Sequence, residues 1–282
     1  MMAVRFIVDS ASDYTKREAE REGMVFLPMS VSFDGVAYRD GENLDKDTFF
    51  HLLVDEGKYP TTSQPTPQSM MDAFQTVVDD GDEGVFFVMG SSLSGTYQTA
   101  QLIAERFGGK IEVVDTWQVT IGERLLIRFA QQCVAQGMAT AKEVADAVRA
   151  QREREYVFGY LDTLEYLKRG GRISPAINLI AGLLAVKPVV MLRDNQLNLA
   201  AKGRGRGNAL KLLTKEMEKI PHRDNETMIA AYSGKTRVVL DAYLDETPQM
   251  RVPPERIFQL GSTVGTHAGP GVIGFAFFGD PV

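Results

Sequence analysis

A short apolar run followed by a hydroxyl-rich turn constrains the fold of this chain more than any other stretch. No polar residue alternates within residues 84–90, so the run predicts a strand that is buried on both faces. A turn with three serines and a threonine follows at 91–96, and apolar residues then recur at helical spacing as far as Phe107. In α/β sheets such turns lie at the carboxyl ends of the strands, where ligands bind. One hydroxyl is expected to cap the helix, and the others either face a ligand or only form the turn.

Length and composition exclude several classes of protein. The 282 residues are 44% hydrophobic, which is enough for one large or two medium domains with substantial cores. The net charge of −6 argues against a general nucleic-acid-binding protein and against a transcription regulator. The single cysteine, Cys133, stands in an apolar-periodic stretch and is predicted to be buried rather than reactive. We expect a cytoplasmic protein without a signal peptide or a transmembrane segment, since no apolar run approaches about 20 residues.

The remaining strands and helices predict an α/β fold with two domains. Two more strands of the first half, residues 4–8 and 110–114, also end in acidic and hydroxyl side chains, and helical patterns separate the three strands. This alternation predicts a mainly parallel sheet with flanking helices. The second half has shorter strands and predicts a smaller α/β domain. We place the boundary near residue 153, which gives domains 1–153 and 154–282.

A proline-rich segment at residues 59–67 is a second candidate for ligand contact. Its three prolines predict a rigid loop without regular structure, and residues 61–64 offer a row of uncharged hydrogen-bonding groups. Thr66 and Pro67 then predict the start of a helix. The segment is either a ligand clamp or a plain linker.

His267 is the third candidate, because it stands in a predicted glycine-rich loop beside Thr263 and Thr266. It could donate a hydrogen bond to a carboxylate, act as an acid or base, or be purely structural. Ser94 and His267 could together form a hydrolase site, although the pattern around Ser94 is not a nucleophile elbow. Asp9 and Asp13 are interpreted as caps that pin a loop rather than as magnesium ligands, and the sequence predicts neither a metal site nor a cofactor.

Six short motifs are spread over nearly the whole chain, at residues 8–13, 62–66, 93–98, 167–173, 187–188 and 267–271. Together they resemble the DegV family of bacterial fatty-acid-binding proteins, which serve as the carrier subunit of fatty acid kinase. One departure is visible in the serine turn, which is one residue tighter than the family pattern. The departure leaves the roles of Ser91 and Ser92 open.

The resemblance implies that a long-chain fatty acid such as palmitate or oleate lies in a tunnel between the two domains. On the matching positions, Thr62 and Ser94 would hold the carboxylate, with His267 in the same hydrogen-bond network and Ser63 and Thr263 beside it. Apolar residues near these loops are candidates for the tunnel wall or for the core: Phe26, Met29, Phe87, Leu164, Ile177, Leu184 and Phe275.

The resemblance also implies that a separate ATP-binding kinase phosphorylates the bound fatty acid, so that this chain is a carrier without catalytic residues. Lys202, Arg204 and Arg206 form a basic cluster on an otherwise acidic chain, and they are either a docking patch for an acidic kinase surface or a solvated loop. Arg169 and Arg172 would assist the acyl phosphate or brace their loop. Transient membrane contact is compatible with this role. The competing hypothesis is a serine hydrolase or acyltransferase that uses Ser94 and His267.

Overall fold

The computed structural model describes residues 3–174, 177 and 186–281, and it confirms the predicted two-domain α/β fold. Helices and strands of the described residues are numbered in chain order. The first half contains a four-stranded parallel sheet of order β2-β1-β6-β7. Its strands are β1 (Val4–Asp9), β2 (Val25–Leu27), β6 (Glu83–Val88) and β7 (Ile111–Asp115). The predicted strand within 84–90 is fully buried, as its unbroken apolar sequence indicates.

A small antiparallel sheet of order β4-β3-β5 lies in the same half. It consists of β3 (Ser30–Phe33), β4 (Val36–Arg39) and β5 (Thr61–Ser63). The prediction that the proline-rich segment lacks regular structure was wrong for β5. The residues between Pro60 and Pro65 keep their N–H groups, and they pair with the free edge of β3.

Helices cover both faces of the parallel sheet, as predicted. They are α1 (Lys16–Arg21), α3 (Pro67–Asp79), α4 (Thr96–Ala104), α5 (Ile121–Ala135) and α6 (Ala141–Gln151). Helix α2 (Lys46–Phe50) packs against the small antiparallel sheet instead. The hydroxyl of Thr66 caps α3 by accepting from the N–H of Ser69, and Pro67 occupies the first turn. Cys133 of α5 is buried, as its apolar surroundings predict.

The second half is built on a six-stranded sheet of order β10-β9-β8-β13-β11-β12, in which only β11 and β12 run parallel. Its strands are β8 (Glu155–Tyr160), β9 (Val186–Arg193), β10 (Gln196–Arg204), β11 (Ile229–Tyr232), β12 (Ile257–Gln259) and β13 (Ile273–Phe278). Its helices are α7 (Glu165–Arg169), α8 (Arg206–Glu218), α9 (Val238–Glu246) and α10 (Ser262–Ala268). The domain boundary at residue 153 stays a prediction.

Helix α5 joins the two halves through one continuous core. Its buried side chains pack on β1 and β6 of the parallel sheet and on β11 and β13 of the six-stranded sheet. The other face of the six-stranded sheet packs on α8 and α9. The carboxyl ends of β6 and β7 therefore face the second half across the start of α5. In the described residues, no helix has the length and apolarity needed to cross a membrane.

Candidate ligand-binding site

An apolar cavity of about 160 Å³ lies between the carboxyl ends of the parallel strands and the six-stranded sheet. Both halves of the chain supply its wall. Its apolar side chains include Met29, Met89, Val119, Ile121, Leu161, Val190, Leu192 and Val264. A mainly apolar wall with a few polar groups is typical of sites that bind small apolar ligands. Thr62, Ser63, Ser94, Thr263 and His267, which the sequence analysis singled out, all border the cavity.

Thr62 reaches the cavity from β5. Strand pairing with β3 sets its orientation, since side chains alternate along a strand, and Thr61 and Ser63 on either side of it are more exposed. The Oγ1 atom of Thr62 lies 2.8 Å from Nε2 of His267. The structure thus brings together two predicted residues that are 205 positions apart in sequence.

His267 lies on helix α10, so the prediction of a glycine-rich loop around it was wrong. Asp40, a residue of the first half, caps this helix by accepting hydrogen bonds from the N–H groups of Ser262 (3.2 Å) and Thr263 (2.9 Å). Sequence analysis missed Asp40, because a capping residue more than 200 positions away leaves no local signal. The cap offsets the low helix propensity of the glycine in this segment.

The imidazole of His267 is neutral at physiological pH. Burial and the nearby charge of Arg172 lower its pKa to about 4. Its Nδ1 atom is buried and has no hydrogen-bond partner among the described residues. An N–H at Nδ1 would lack an acceptor, so we place the proton on Nε2, from which it donates to Thr62. The hydroxyl proton of Thr62 is then available to a ligand.

Ser94 occupies the serine turn between β6 and α4. Its Oγ atom lies 2.8 Å from Oγ1 of the buried Thr96 and accepts from the N–H of Thr96 at 3.3 Å. Arg172 supports the turn from the second half by donating from Nε to the carbonyl of Leu93 at 3.2 Å. Arg172 also donates from Nη1 to the carbonyl of Gly170 at 2.7 Å, so it braces its own loop, which is one of the two roles proposed for it from the sequence.

Thr263 borders the cavity, but its hydroxyl donates to Asp40 at 2.6 Å. Its proton is thus directed to the cap of α10 rather than into the cavity. Ser63 lies at the exposed end of β5 beside Thr62. The role of either residue in binding a carboxylate stays a prediction.

The hydrogen bonds of Ser94 and His267 differ from those of a serine hydrolase. Ser94 pairs with Thr96, and Nε2 of His267 pairs with Thr62, so in the described residues no hydrogen bond joins the serine to the histidine. The described chain also offers Nδ1 no carboxylate of the kind that orients a catalytic histidine.

A cluster of buried acids lies below the site, near the start of α5. Asp9 accepts from the N–H groups of Ala11 and Met89, and Asp13 accepts from that of Gly261, which confirms that these aspartates pin loops. Burial raises the pKa of Asp9 to about 7 and that of Asp13 to about 6. Among the described residues, no group of three or more His, Cys, Asp or Glu side chains is arranged to hold a metal ion.

The candidates for the tunnel wall divide between cavity and core. Met29 borders the cavity. The others that the structure describes pack in hydrophobic clusters and do not themselves line the cavity: Phe26, Phe87, Leu164, Ile177 and Phe275. Leu164 and Ile177 belong to the cluster that also contains the cavity-lining Leu161. Leu184 lies outside the described residues.

The three residues of the basic cluster differ in their exposure and in their contacts within the protein. Lys202 and Arg204 are exposed and stand two positions apart on β10, which places them on the same face of an edge strand. Arg206 begins α8 and pairs with Asp162 at 3.3 Å. In the same half, Arg169 pairs with Glu165 and lies over the ring of Tyr59.

Comparisons with known proteins place the chain in a family. The model of the "Uncharacterised protein, DegV family" matches residues 3–280. A DegV domain-containing protein of Caldanaerobacter subterraneus subsp. tengcongensis is 30% identical, and the match covers 98% of this chain and 99% of that relative.

Two solved structures share the fold over nearly their full lengths. One is described as fatty acid binding of a DegV family protein from Thermus thermophilus (29% identity, TM-score 0.86, covering 99% of this chain and 100% of that one). The other is a stearic acid-binding protein from Eubacterium ventriosum (27% identity, TM-score 0.85, covering 99% and 98%). The match of the family model along the whole described chain leads to one conclusion: this protein belongs to the DegV family.

Proposed function

We propose that this protein binds a long-chain fatty acid and presents its carboxylate to a separate ATP-dependent kinase. The acyl chain occupies the apolar cavity, and the carboxylate accepts hydrogen bonds from Thr62 and Ser94, with His267 holding Thr62 in place. The kinase transfers a phosphoryl group to the bound carboxylate.

The observation that carries the proposal is an apolar cavity bordered by two hydroxyl groups, one from β5 and one from the serine turn. A carboxylate that leaves water needs several donors to offset its lost hydration. Each methylene of the acyl chain contributes about 0.8 kcal/mol when it is buried. A ligand with one carboxylate and a long apolar tail matches this arrangement of hydroxyl groups beside an apolar cavity. The fatty-acid-binding relatives from Thermus thermophilus and Eubacterium ventriosum support the same ligand class.

Native mass spectrometry of the purified protein, followed by extraction of bound small molecules, tests the ligand. We expect a fatty acid at near-unit occupancy in the wild type and its loss in a Thr62→Ala/Ser94→Ala double variant. Thr61→Ala is the matched control, since Thr61 is exposed beside Thr62 on β5. A protein that is purified without ligand and stays empty after addition of oleate or palmitate would contradict the proposal.

Within the proposed function, Lys202 and Arg204 form the docking surface for an acidic face of the kinase. Their exposure on an edge strand makes both side chains available to a partner. Arg206 lies next to them but forms an ion pair with Asp162. A Lys202→Glu/Arg204→Glu variant is expected to bind oleate normally and to form acyl phosphate at least tenfold more slowly with a fatty acid kinase. The control is Lys211→Glu/Lys215→Glu, on exposed positions of α8; equal rates in both variants would refute the docking surface.

A further inference from the structure

The side-chain amide of Asn195 bridges two serines of the serine turn. Asn195 stands at the tip of the hairpin that joins β9 and β10, more than 100 positions from the turn. Its Nδ2 donates to Oγ of Ser91 at 2.8 Å, and its Oδ1 accepts from the N–H of Ser92 at 3.2 Å. The amide therefore uses both of its polar atoms on the two serines whose roles the sequence left open.

The backbone on both sides of this contact has a conformation that permits it. Asp194 and Asn195 have φ angles of 51° and 57°, which is the left-handed pair of a tight hairpin turn and suits asparagine. On the other side, a β-carbon at Gly90 would come within 2.9 Å of Oδ1 of Asn195. Glycine at position 90 thus lets the amide lie directly against the backbone that leads into the serine turn.

Asn195 is one of three anchors of the serine turn. Asp115 accepts from the N–H of Ser91 at 3.0 Å at the start of the turn, and Arg172 holds the carbonyl of Leu93 near its end. Asn195 holds the segment between these two points. Because Ser94 follows directly, the direction of its hydroxyl depends on this segment keeping its conformation.

The hairpin itself does not depend on the amide. β10 pairs with β9 from Gln196 to Arg204, so the strands stay in place when the side chain of Asn195 is removed. Leu192 and Leu197, which border the cavity, lie within these paired strands. Removal of the amide is therefore expected to disturb the serine turn and to leave the apolar wall intact.

We propose that Asn195 is a positioning residue that fixes the serine turn and so aims the hydroxyl of Ser94 at the ligand carboxylate. The inference rests on the proposed function, because it assigns Ser94 the carboxylate. It also assigns Ser91 and Ser92 to the anchor rather than to the ligand.

The test compares Asn195→Gly with Asp194→Gly. Both replacements put glycine into the same left-handed turn without strain, but only the first removes the amide. Dissociation constants are measured for oleate and for oleyl alcohol, which has the same chain without the carboxylate. Both dissociation constants are measured by isothermal titration calorimetry.

We expect Asn195→Gly to weaken oleate binding about tenfold and oleyl alcohol binding less than twofold, with Asp194→Gly close to wild type for both. Ser91→Ala removes one of the two hydrogen bonds of Asn195 and leaves the one from the N–H of Ser92, so it should reproduce part of the loss for oleate. In a Ser94→Ala background, Asn195→Gly should cause little further loss, because its effect acts through Ser94.

Three results would overturn the inference: unchanged oleate binding, an equal loss for oleate and oleyl alcohol, or additive losses with Ser94→Ala. An equal loss would mean that Asn195 supports only the cavity wall. A wild-type protein that binds neither ligand would overturn the proposed function together with this inference, so the two failures are distinguishable.

Discussion

The imidazole of His267 lies directly against the backbone of Gly170, so closely that a β-carbon at position 170 would overlap the ring. Gly170 follows α7, and α7 packs against α10, which carries the histidine. The glycine therefore determines where the imidazole can lie and keeps Nε2 within reach of Thr62.

Gly170→Ala should displace the imidazole and break its hydrogen bond with Thr62. We expect at least a tenfold loss of oleate affinity in a titration, because a hydrogen bond at the proposed carboxylate site contributes about 1.5–3 kcal/mol. Gly207→Ala is the control, since a β-carbon there meets no atom within 4 Å. Affinities that match in the two variants would show that the position of the ring does not matter for binding.

Protonation of His267 should destabilise the fold as the pH falls. The pKa of His267 is about 4 in the folded protein against about 6.5 for an ordinary histidine, so the unfolded chain binds more protons between these values. Stability is therefore lost as the pH falls from about 6.5 to 4, by up to about 3 kcal/mol from this residue. Urea unfolding across this range should show a smaller loss for His267→Gln than for the wild type.

The exposed His222 provides the matched control for the pH series. His267→Gln should reduce the loss of stability between pH 6.5 and 4 more than His222→Gln does, because His267 is largely buried and His222 is exposed. If His267→Gln retains the full loss of stability in acid, then the imidazole of His267 is not held neutral by the fold.

Thr263→Val should reduce stability more than it reduces fatty-acid affinity. The replacement keeps the shape of the side chain but removes the hydroxyl that donates to Asp40 at 2.6 Å. We expect the free energy of unfolding to fall by about 2 kcal/mol, since the acceptor is a buried carboxylate. Thr62→Val should reduce oleate affinity more than it reduces stability. Both variants are measured by denaturation and by oleate titration. A larger affinity loss for Thr263→Val would instead support the prediction that Thr263 binds the carboxylate.

The stability of the Glu123→Gln variant relative to the wild type should increase as the pH rises. Glu123 is fully buried on α5, and neither of its carboxylate oxygens has a partner among the described residues. Burial and the neighbouring Asp9 raise its pKa well above the ordinary value. The folded state therefore holds a proton that the unfolded chain releases above about pH 4.5, so this glutamate costs more stability at higher pH.

Urea unfolding at pH 5 and pH 8 measures this effect. The stability of Glu123→Gln relative to the wild type should be higher at pH 8 than at pH 5. Glu105→Gln, at an exposed position after α4, should show no such change. A constant difference between Glu123→Gln and the wild type at both pH values would mean that Glu123 is charged in the folded state.

The sequence predicts the parts of the fold whose signals are local. The apolar run of β6, the proline at the start of α3 and the apolar surroundings of Cys133 each depend on neighbouring residues, and the structure confirms all three predictions. Thr62, Ser94 and His267 were found because hydroxyl groups cluster at residues 61–64 and 91–96, and because the motifs around all three resemble the DegV family.

The parts that escaped prediction depend on contacts between distant segments. Strand β5 forms because β3 offers it a free edge, and α10 forms with Asp40 as its cap. From the sequence, Asn195 is predicted only to form a turn, whereas in the structure its side chain also contacts Ser91. A single sequence carries no signal for such pairs, since each partner alone looks like a common surface residue.

The cap that Asp40 gives to α10 has a consequence for inheritance. Thr62 and Asp40 come from the first half of the chain, whereas His267 and the helix that carries it come from the second. Recombination between two relatives at a point between the halves would separate the histidine from its cap and from its hydroxyl partner. The two halves of this protein are therefore expected to be inherited as one unit. A chimera of two relatives should retain the site only where both parents have the same residue pairs.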